Sequence, residues 1–210
     1  MSQAQVKIRL DLYPKQAQAL NSPATEILFG GATRSGKSHM TRVALIYWSL
    51  KVPGLQSLIL RKYYDDVLAN HMKGPDGFRS MLKPYVDEKL VRITENQIQF
   101  DNGSLITLNH CSSEEAAEKN QGIAKNVLIF EEACQILERH IRFIRAWVTM
   151  SEEMKAKVPD DLKGMFPKII YTANPIGASM GYFRRGFVKA AAPGTIFKAP
   201  VTDGGFMRRS

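Results

Sequence analysis

Cysteine is scarce in this chain: Cys111 and Cys134 are the only two among 210 residues. Two thiols cannot build the disulfide framework of a small secreted domain, and no histidine stands at metal-ligand spacing from either, so a reducing interior is the expected setting. Long apolar runs are missing as well. The most hydrophobic stretch, Val43 to Leu50, is far shorter than the ~20 residues that span a bilayer. The N-terminal residues mix charged and apolar side chains where a leader would carry an apolar block. Neither a membrane partner nor a removed leader is therefore expected. Internal repeats and low-complexity tracts are absent too, which argues against solenoids and arrays. A chain of 210 residues suffices for one well-buried α/β domain.

Acidic charge is what the last third lacks. Residues 139–210 hold 13 Lys/Arg against 5 Asp/Glu, whereas residues 1–138 are close to balance at 16 against 15, so nearly all of the net +9 falls in that last third. A basic segment suits a polyanionic partner, nucleic acid first, and equally serves as a solubilising surface.

What the chain does carry is a means of holding phosphate. After the apolar run Ile27-Leu28-Phe29 comes Gly30 to Ser38, GGATRSGKS, and then a helix pattern from Met40 to Leu50. From Gly31 the spacing is G-x-x-x-x-G-K-S, the phosphate-binding loop between a strand and a helix. Glycines allow a tight turn in which successive N–H groups, with the helix N-terminus behind them, point at negative charge. Gly31, Thr33, Arg34, Ser35, Gly36, Lys37 and Ser38 form the expected phosphate cradle. Lys37 reaches the β- and γ-phosphates, and the Ser38 hydroxyl is one ligand of Mg²⁺.

Upstream, Val6 to Asp11 alternates like a short strand. Tyr13-Pro14-Lys15-Gln16 then opens a helix through Leu20, with proline in its first turn. The Gln16 amide matches the N6 donor and N7 acceptor of adenine, and the Tyr13 ring offers a stacking surface, which selects ATP. A plain capped surface helix is the other reading.

Downstream, Leu55 to Leu60 reads as a second buried strand, followed by an amphipathic stretch from Asp65 to Leu82 that the cluster Gly74 to Gly77 interrupts. Val91 to Phe100 and Leu105 to Asn109 flank Asp101-Asn102-Gly103-Ser104, which predicts a β-hairpin with a type I′ turn whose second strand runs on into the main sheet.

Val127 to Phe130 is a fully buried strand tipped by Glu131 and Glu132, the place where a parallel sheet presents ligand groups. Glu131 takes the metal role and Glu132 orients an attacking water. Glu131 stands where Asp is usual, and its extra methylene is expected to push the carboxylate outward, so that the metal contact runs through water.

Ala133 to Met150 is expected as one helix, with Ile141, Phe143, Ile144, Trp147 and Val148 on one side and Arg139, Arg142 and Arg145 on the other. That arginine row is a grip on phosphate, a finger to a neighbouring subunit or a solvated face. Residues 151–166 lack periodicity and read as a loop. Lys168 to Thr172 is an apolar strand closed by Ala173-Asn174-Pro175, and proline holds Asn174 at the strand tip, within reach of a γ-phosphate.

The order of YPKQ, GGATRSGKS, QG followed by LIFEEACQ, and TANPIGASMGYFRRGF resembles the ATPase domain of the large terminase subunit, the motor that packages DNA into tailed-phage capsids. The likeness runs from Tyr13 to Phe187, and TANP followed by an aromatic-Arg-Arg-aromatic stretch is its most specific part.

This resemblance implies an α/β phosphate-loop NTPase of the ASCE type, with a mainly parallel sheet flanked by helices and a β-hairpin insertion. The strand ending in Thr172 and Asn174 then lies between the phosphate-loop strand and the acidic strand, and both residues belong to a coupling motif. Glu132, Lys37 and Arg34 are the implied catalytic set, with Mg-ATP as cofactor. Some relatives donate an arginine from just before the acidic strand to the neighbouring subunit. This chain has Gln121-Gly122 there, so Lys119, Arg184 or Arg185 would have to replace it. The implied partners are double-stranded DNA, the small terminase subunit and the capsid portal, with the chain in a homo-oligomeric ring, in the host cytoplasm and transiently docked on the procapsid. Residues 1–200 form the motor domain, and 201–210 form a tail or the start of a linker to a nuclease domain whose acidic cluster is not found after Phe197. Alternatives from other classes are a helicase or other DNA-dependent ATPase, a module that holds ATP without hydrolysing it, and a phosphotransferase.

Overall fold

The computed structural model describes residues 10–31, 35–189, 196–197 and 205–209. In chain order the described elements begin with α1 (Pro14–Leu20), β1 (Glu26–Gly30), α2 (Lys37–Lys51), β2 (Gln56–Arg61) and α3 (Tyr64–His71). There follow α4 (Phe78–Met81), α5 (Lys83–Asp87), β3 (Val91–Ile93), β4 (Gln97–Phe100), β5 (Leu105–His110) and α6 (Glu114–Lys119). The last are β6 (Val127–Phe130), α7 (Glu138–Arg145), α8 (Glu152–Ala156), β7 (Lys168–Ala173), α9 (Met180–Phe183), β8 (Ile196–Phe197) and β9 (Gly205–Arg209). No helix among the described residues is long and apolar enough to cross a membrane.

The strands form one sheet in the order β3-β4-β5-β2-β6-β7-β1-β9-β8. Its centre, β5-β2-β6-β7-β1, is parallel throughout, and antiparallel pairs close both edges. The fold class is the one expected, and β7 lies between β1 and β6 as the resemblance implies.

Successive side chains of a strand point to opposite faces, and here both faces are apolar because helices cover both. Ile27 and Phe29 of β1 and Val127 and Ile129 of β6 join one core, shared with Val43, Leu45, Ile46 and Trp48 of α2. Leu28, Leu128 and Phe130, one residue out of step, join the other, with Ile141 and Ile144 of α7 and with Phe183 and Phe187. Helix α2 is buried nearly all round, which fixes the phosphate loop at its N-terminus to the centre of the molecule.

Four local expectations are corrected. The hairpin turn is not type I′. Gly103 is left-handed at φ 84, but Asn102 has no positive φ. The Gly103 N–H bonds Phe100 O at 3.0 Å and the Phe100 N–H bonds Ser104 O at 2.9 Å, a three-residue loop whose last member is a glycine bulge. Val91 to Phe100 is not one strand but two, turned back at Thr94, whose N–H bonds Gln97 O. Ala133 to Met150 is not one helix. Glu132 sits at φ 49, Ala133–Gln135 makes a single 3₁₀ turn, and Ile136 is extended before α7 begins. The backbone there bonds elsewhere: Ser179 donates its N–H to Cys134 O at 3.0 Å and its hydroxyl to Ile136 O. Phe143 and Trp147 are accordingly exposed rather than packed with Ile141 and Ile144. Finally, residues 151–166 hold α8, capped by Ser151 accepting from Met154 N–H, and a 3₁₀ turn at Asp160–Leu162.

Of the stretch read as a tail, Gly205–Arg209 pairs antiparallel with β1 along its free edge. The strand expected at Val6 to Asp11 lies mostly outside the described residues, and Leu10 and Asp11 are not in a strand.

Candidate nucleotide site

The carboxyl ends of the central strands converge on one crevice. Gly31 follows β1, Arg61 ends β2, Glu131 follows β6 and Asn174 follows β7, so four neighbouring strands deliver polar groups to the edge where open α/β sheets bind ligands.

The phosphate loop is set by its glycine. Gly36, at φ 75, is the N-cap of α2, and a Cβ there would collide with Gln16 Nε2. Both the backbone angle and the space therefore demand glycine. Thr33 and Arg34 lie outside the described residues. Gly31 and the buried Ser35 both contact the lysine: Lys37 Nζ donates to Gly31 O at 3.0 Å, to Ser35 Oγ at 3.3 Å and to Asn174 Oδ1 at 2.9 Å. Burial pushes the Lys37 pKa down, and the charges of Glu131 and Glu132 oppose that shift.

Gln16 corrects an expectation. It is fully buried, its Oε1 accepts from Tyr13 N–H at 2.9 Å and its Nε2 donates to Gly36 O at 3.0 Å. The amide offered to adenine is spent on bracing the phosphate loop against α1. Tyr13 remains 64% exposed, a ring face open to a base.

The two glutamates differ sharply. Glu131 is 2% exposed, so the extra methylene carries its carboxylate inward rather than outward. Its Oε2 lies 2.8 Å from His71 Nε2 and 3.5 Å from Arg61 Nη1, and both carboxylate oxygens are buried without a well-aligned hydrogen-bond partner among the described residues. Burial pushes its pKa up. The charge and hydrogen bond of His71, the Ser38 hydroxyl and the Arg61 guanidinium outweigh that and hold it down at about 2. Glu132 is more open. Its Oε1 is 2.5 Å from Arg61 Nη2, its Oε2 accepts from Gln135 Nε2 at 2.7 Å, and its N–H donates to Thr172 Oγ1 at 3.3 Å. Thr172 is thus a backbone anchor for the acidic turn, and Asn174 is the partner of Lys37.

A carboxylate oxygen without a well-aligned partner beside a hydroxyl is a hard-oxygen pair, the donor type Mg²⁺ takes. No group of three or more His, Cys, Asp or Glu able to hold a metal exists among the described residues.

Sequence reasoning missed Arg61 and His71. Arg61 had one signal, an arginine ending the apolar strand before the acidic one. His71 had none, because its role depends on α3 packing back over β2 and β5, which brings its last residue to Glu131. In the expected arginine row of α7, Arg139 and Arg142 remain largely exposed, as on a solvated face, while pairing with Glu114 and Glu138, Arg142 also lying over the Tyr182 ring; Arg145 is less exposed and pairs with Glu26.

Residues 28–141 match the family described as terminase large subunit, T4likevirus-type, N-terminal. The chain belongs to the large terminase family. No curated protein matches the sequence. Among solved structures, the large terminase from a thermophilic bacteriophage superimposes with a TM-score of 0.60 at 16% identity, covering 85% of this chain and 43% of that one. The complex of that terminase with ATP-gamma-S gives 0.59 at 17% identity, covering 85% and 42%. The N-terminal domain of the DNA packaging ATPase from bacteriophage phi29 gives 0.55 at 13% identity, covering 90% and 92%. At these identities the likeness is one of fold. This family member spans less than half the length of the thermophilic phage protein and about the whole of the phi29 domain.

Proposed function

We propose that the chain is the ATP-hydrolysing motor part of a DNA-packaging terminase. The observation that carries this is the convergence of Lys37, Ser38, Glu131, Glu132 and Asn174 on one crevice at the carboxyl edge of the sheet. The thermophilic phage relative in complex with ATP-gamma-S and the phi29 relative named a DNA packaging ATPase support the nucleotide and the process.

Lys37 exchanges Asn174 for phosphate oxygens, and Lys37 and Arg34 neutralise charge on the γ-phosphoryl group. Ser38 and Glu131 are the residues that would hold Mg²⁺, which when bound neutralises phosphate charge. Glu132 orients water for in-line attack once its carboxylate turns from Arg61 and Gln135. Asn174, freed from Lys37, moves the loop after β7. Double-stranded DNA is gripped through phosphates rather than bases, because a packaging motor must move any sequence. The small terminase subunit, the capsid portal and further copies of the chain in a ring complete the assembly, docked transiently on the procapsid in the host cytoplasm.

Lys37→Ala should abolish binding of ATP in calorimetry. Glu132→Gln should bind ATP and release no phosphate; turnover comparable to wild type in that variant overturns the water-orienting role. A second reading, a module that binds ATP without hydrolysing it, draws on one observation: both Glu132 oxygens are already engaged. Phosphate release by the purified wild-type chain separates the two.

A further inference from the structure

His71 closes α3 and is fully buried. Its ring lies over Phe78, with centroids 6.1 Å apart and an interplanar angle of 26°. Neither ring nitrogen has a well-aligned hydrogen-bond partner among the described residues, and Nε2 sits 2.8 Å from Glu131 Oε2. An imidazole taken out of water without well-aligned hydrogen bonds is costly, so its place needs a reason beyond packing.

The neighbourhood supplies one. Arg61 Nη1 approaches the same oxygen, Oε2, at 3.5 Å. Two donor groups therefore gather at Oε2, while Oε1 is buried and enters neither of these contacts, and the Ser38 hydroxyl of the phosphate loop hydrogen-bonds the same carboxylate. Helix α3 cannot drift from this position, because Arg42, one turn beyond Ser38 on α2, donates Nη1 to Asn70 O at 2.9 Å. A tether thus runs from the phosphate-loop helix through the end of α3 to the His71 ring and on to Glu131. The pairing also explains the residue type at 131. An aspartate is one methylene, about 1.5 Å, shorter and would leave a gap between its carboxylate and the ring.

We infer that His71 is a positioning residue matched to Glu131: it holds Oε2 and thereby turns Oε1 toward the divalent cation carried by the nucleotide. This rests on the nucleotide-site reading above. Imidazoles and carboxylates that orient a metal ligand commonly change metal affinity tenfold or more when removed, and here the orienting group would be the imidazole and the ligand the carboxylate.

The test uses Mn²⁺ with ADP, read by electron paramagnetic resonance titration of free Mn²⁺, and ADP binding in EDTA as a separate measurement. His71→Phe keeps the ring on Phe78 and removes the donor; it should weaken Mn²⁺ binding about tenfold and leave ADP binding in EDTA unchanged. His71→Gln, which can place an amide N–H near Nε2, should restore most of the loss. In a Glu131→Asp background His71→Phe should cost nothing further, because the contact is already gone. Equal Mn²⁺ affinity in wild type and His71→Phe, or a full additional loss in the Glu131→Asp background, overturns the inference. If His71→Phe does not fold, His71→Gln set against wild type decides: it should bind Mn²⁺ within a fewfold of wild type, and a tenfold loss in a folded protein overturns it. Failure of the wild-type chain to bind ADP at all defeats the nucleotide-site reading instead, so the two failures are distinct.

Discussion

Arg61 Nη2 lies 2.5 Å from Glu132 Oε1, and the same guanidinium reaches Glu131 Oε2 at 3.5 Å. One cation at the tip of β2 therefore holds together two adjacent carboxylates at the tip of β6. The arrangement follows from register: Leu60 pairs with Phe130, so the next residue on each strand meets its counterpart across the crevice.

Removing the guanidinium leaves Glu131 buried beside a like charge. Arg61→Ala is expected to lower unfolding free energy by about 2–3 kcal/mol, below the full cost for a buried pair because Glu132 is partly exposed. The same substitution in a Glu132→Gln background should cost clearly less. Urea denaturation of the four proteins at pH 7 measures the coupling, and equal costs in both backgrounds would remove Arg61 as the clamp.

Glu131 makes a pH prediction with a definite sign. Its carboxyl is held at about 2 in the folded protein against an ordinary 4.5, so the unfolded chain binds a proton in that window that the folded chain does not. Stability contributed by Glu131 is present above pH 4.5 and lost as pH falls toward 2. The full shift corresponds to ~3 kcal/mol. Glu131→Gln should flatten the acid limb of the stability curve by that order, measured as the difference between the two proteins from pH 5 to pH 2.5.

Strands were legible where apolar runs are unbroken, as at Val127 to Phe130, because a strand buried on both faces leaves no other pattern for the chain to show. The phosphate loop was legible because its glycine and lysine spacing is local. The break after Glu132 was not: Ser179 bonds Cys134 O and Ile136 O from far along the chain, and nothing near 133–137 announces it. Gln16 was read as a base reader because the sequence cannot show that Gly36 O and Tyr13 N–H occupy both ends of its amide. The partners of Arg139 and Arg145 were not legible for the same reason, since Glu114 and Glu26 are remote in sequence.

Lys168 gives a second pH prediction, opposite in range. It is fully buried at the start of β7, donates Nζ to Ser22 O and lies 5.6 Å from the Trp48 ring centroid. Burial pushes its pKa down from 10.5 to about 8. Between those values the unfolded chain keeps a proton the folded chain has released, so stability rises with pH from 8 to 10.5, by up to ~3 kcal/mol. Lys168→Met should be at least as stable as wild type at pH 7, and should lack this rise. A wild-type profile parallel to that of the methionine variant across the window would show that Lys168 folds in its ordinary protonation state.

Lys37 and Asn174 supply the last prediction. The 2.9 Å bond from Nζ to Asn174 Oδ1 occupies the ammonium that phosphate must take, so nucleotide binding has to break it. A hydrogen bond to a charged group contributes about 1.5–3 kcal/mol, but Gly31 O and Ser35 Oγ share the same ammonium, and phosphate replaces the lost bond. Only the part of the Asn174 contact that phosphate does not regain opposes binding. On the proposed role of Asn174 at the γ-phosphate, which ADP lacks, Asn174→Ala should therefore tighten ADP by a fewfold, roughly 0.5–1 kcal/mol on the affinity scale. ATP turnover should fall in the same variant, because the loop after β7 no longer responds to the lysine. Calorimetry with ADP and phosphate release with ATP separate the two effects. Weaker ADP binding in the alanine variant would mean that Asn174 supports the nucleotide directly rather than competing with it for Lys37.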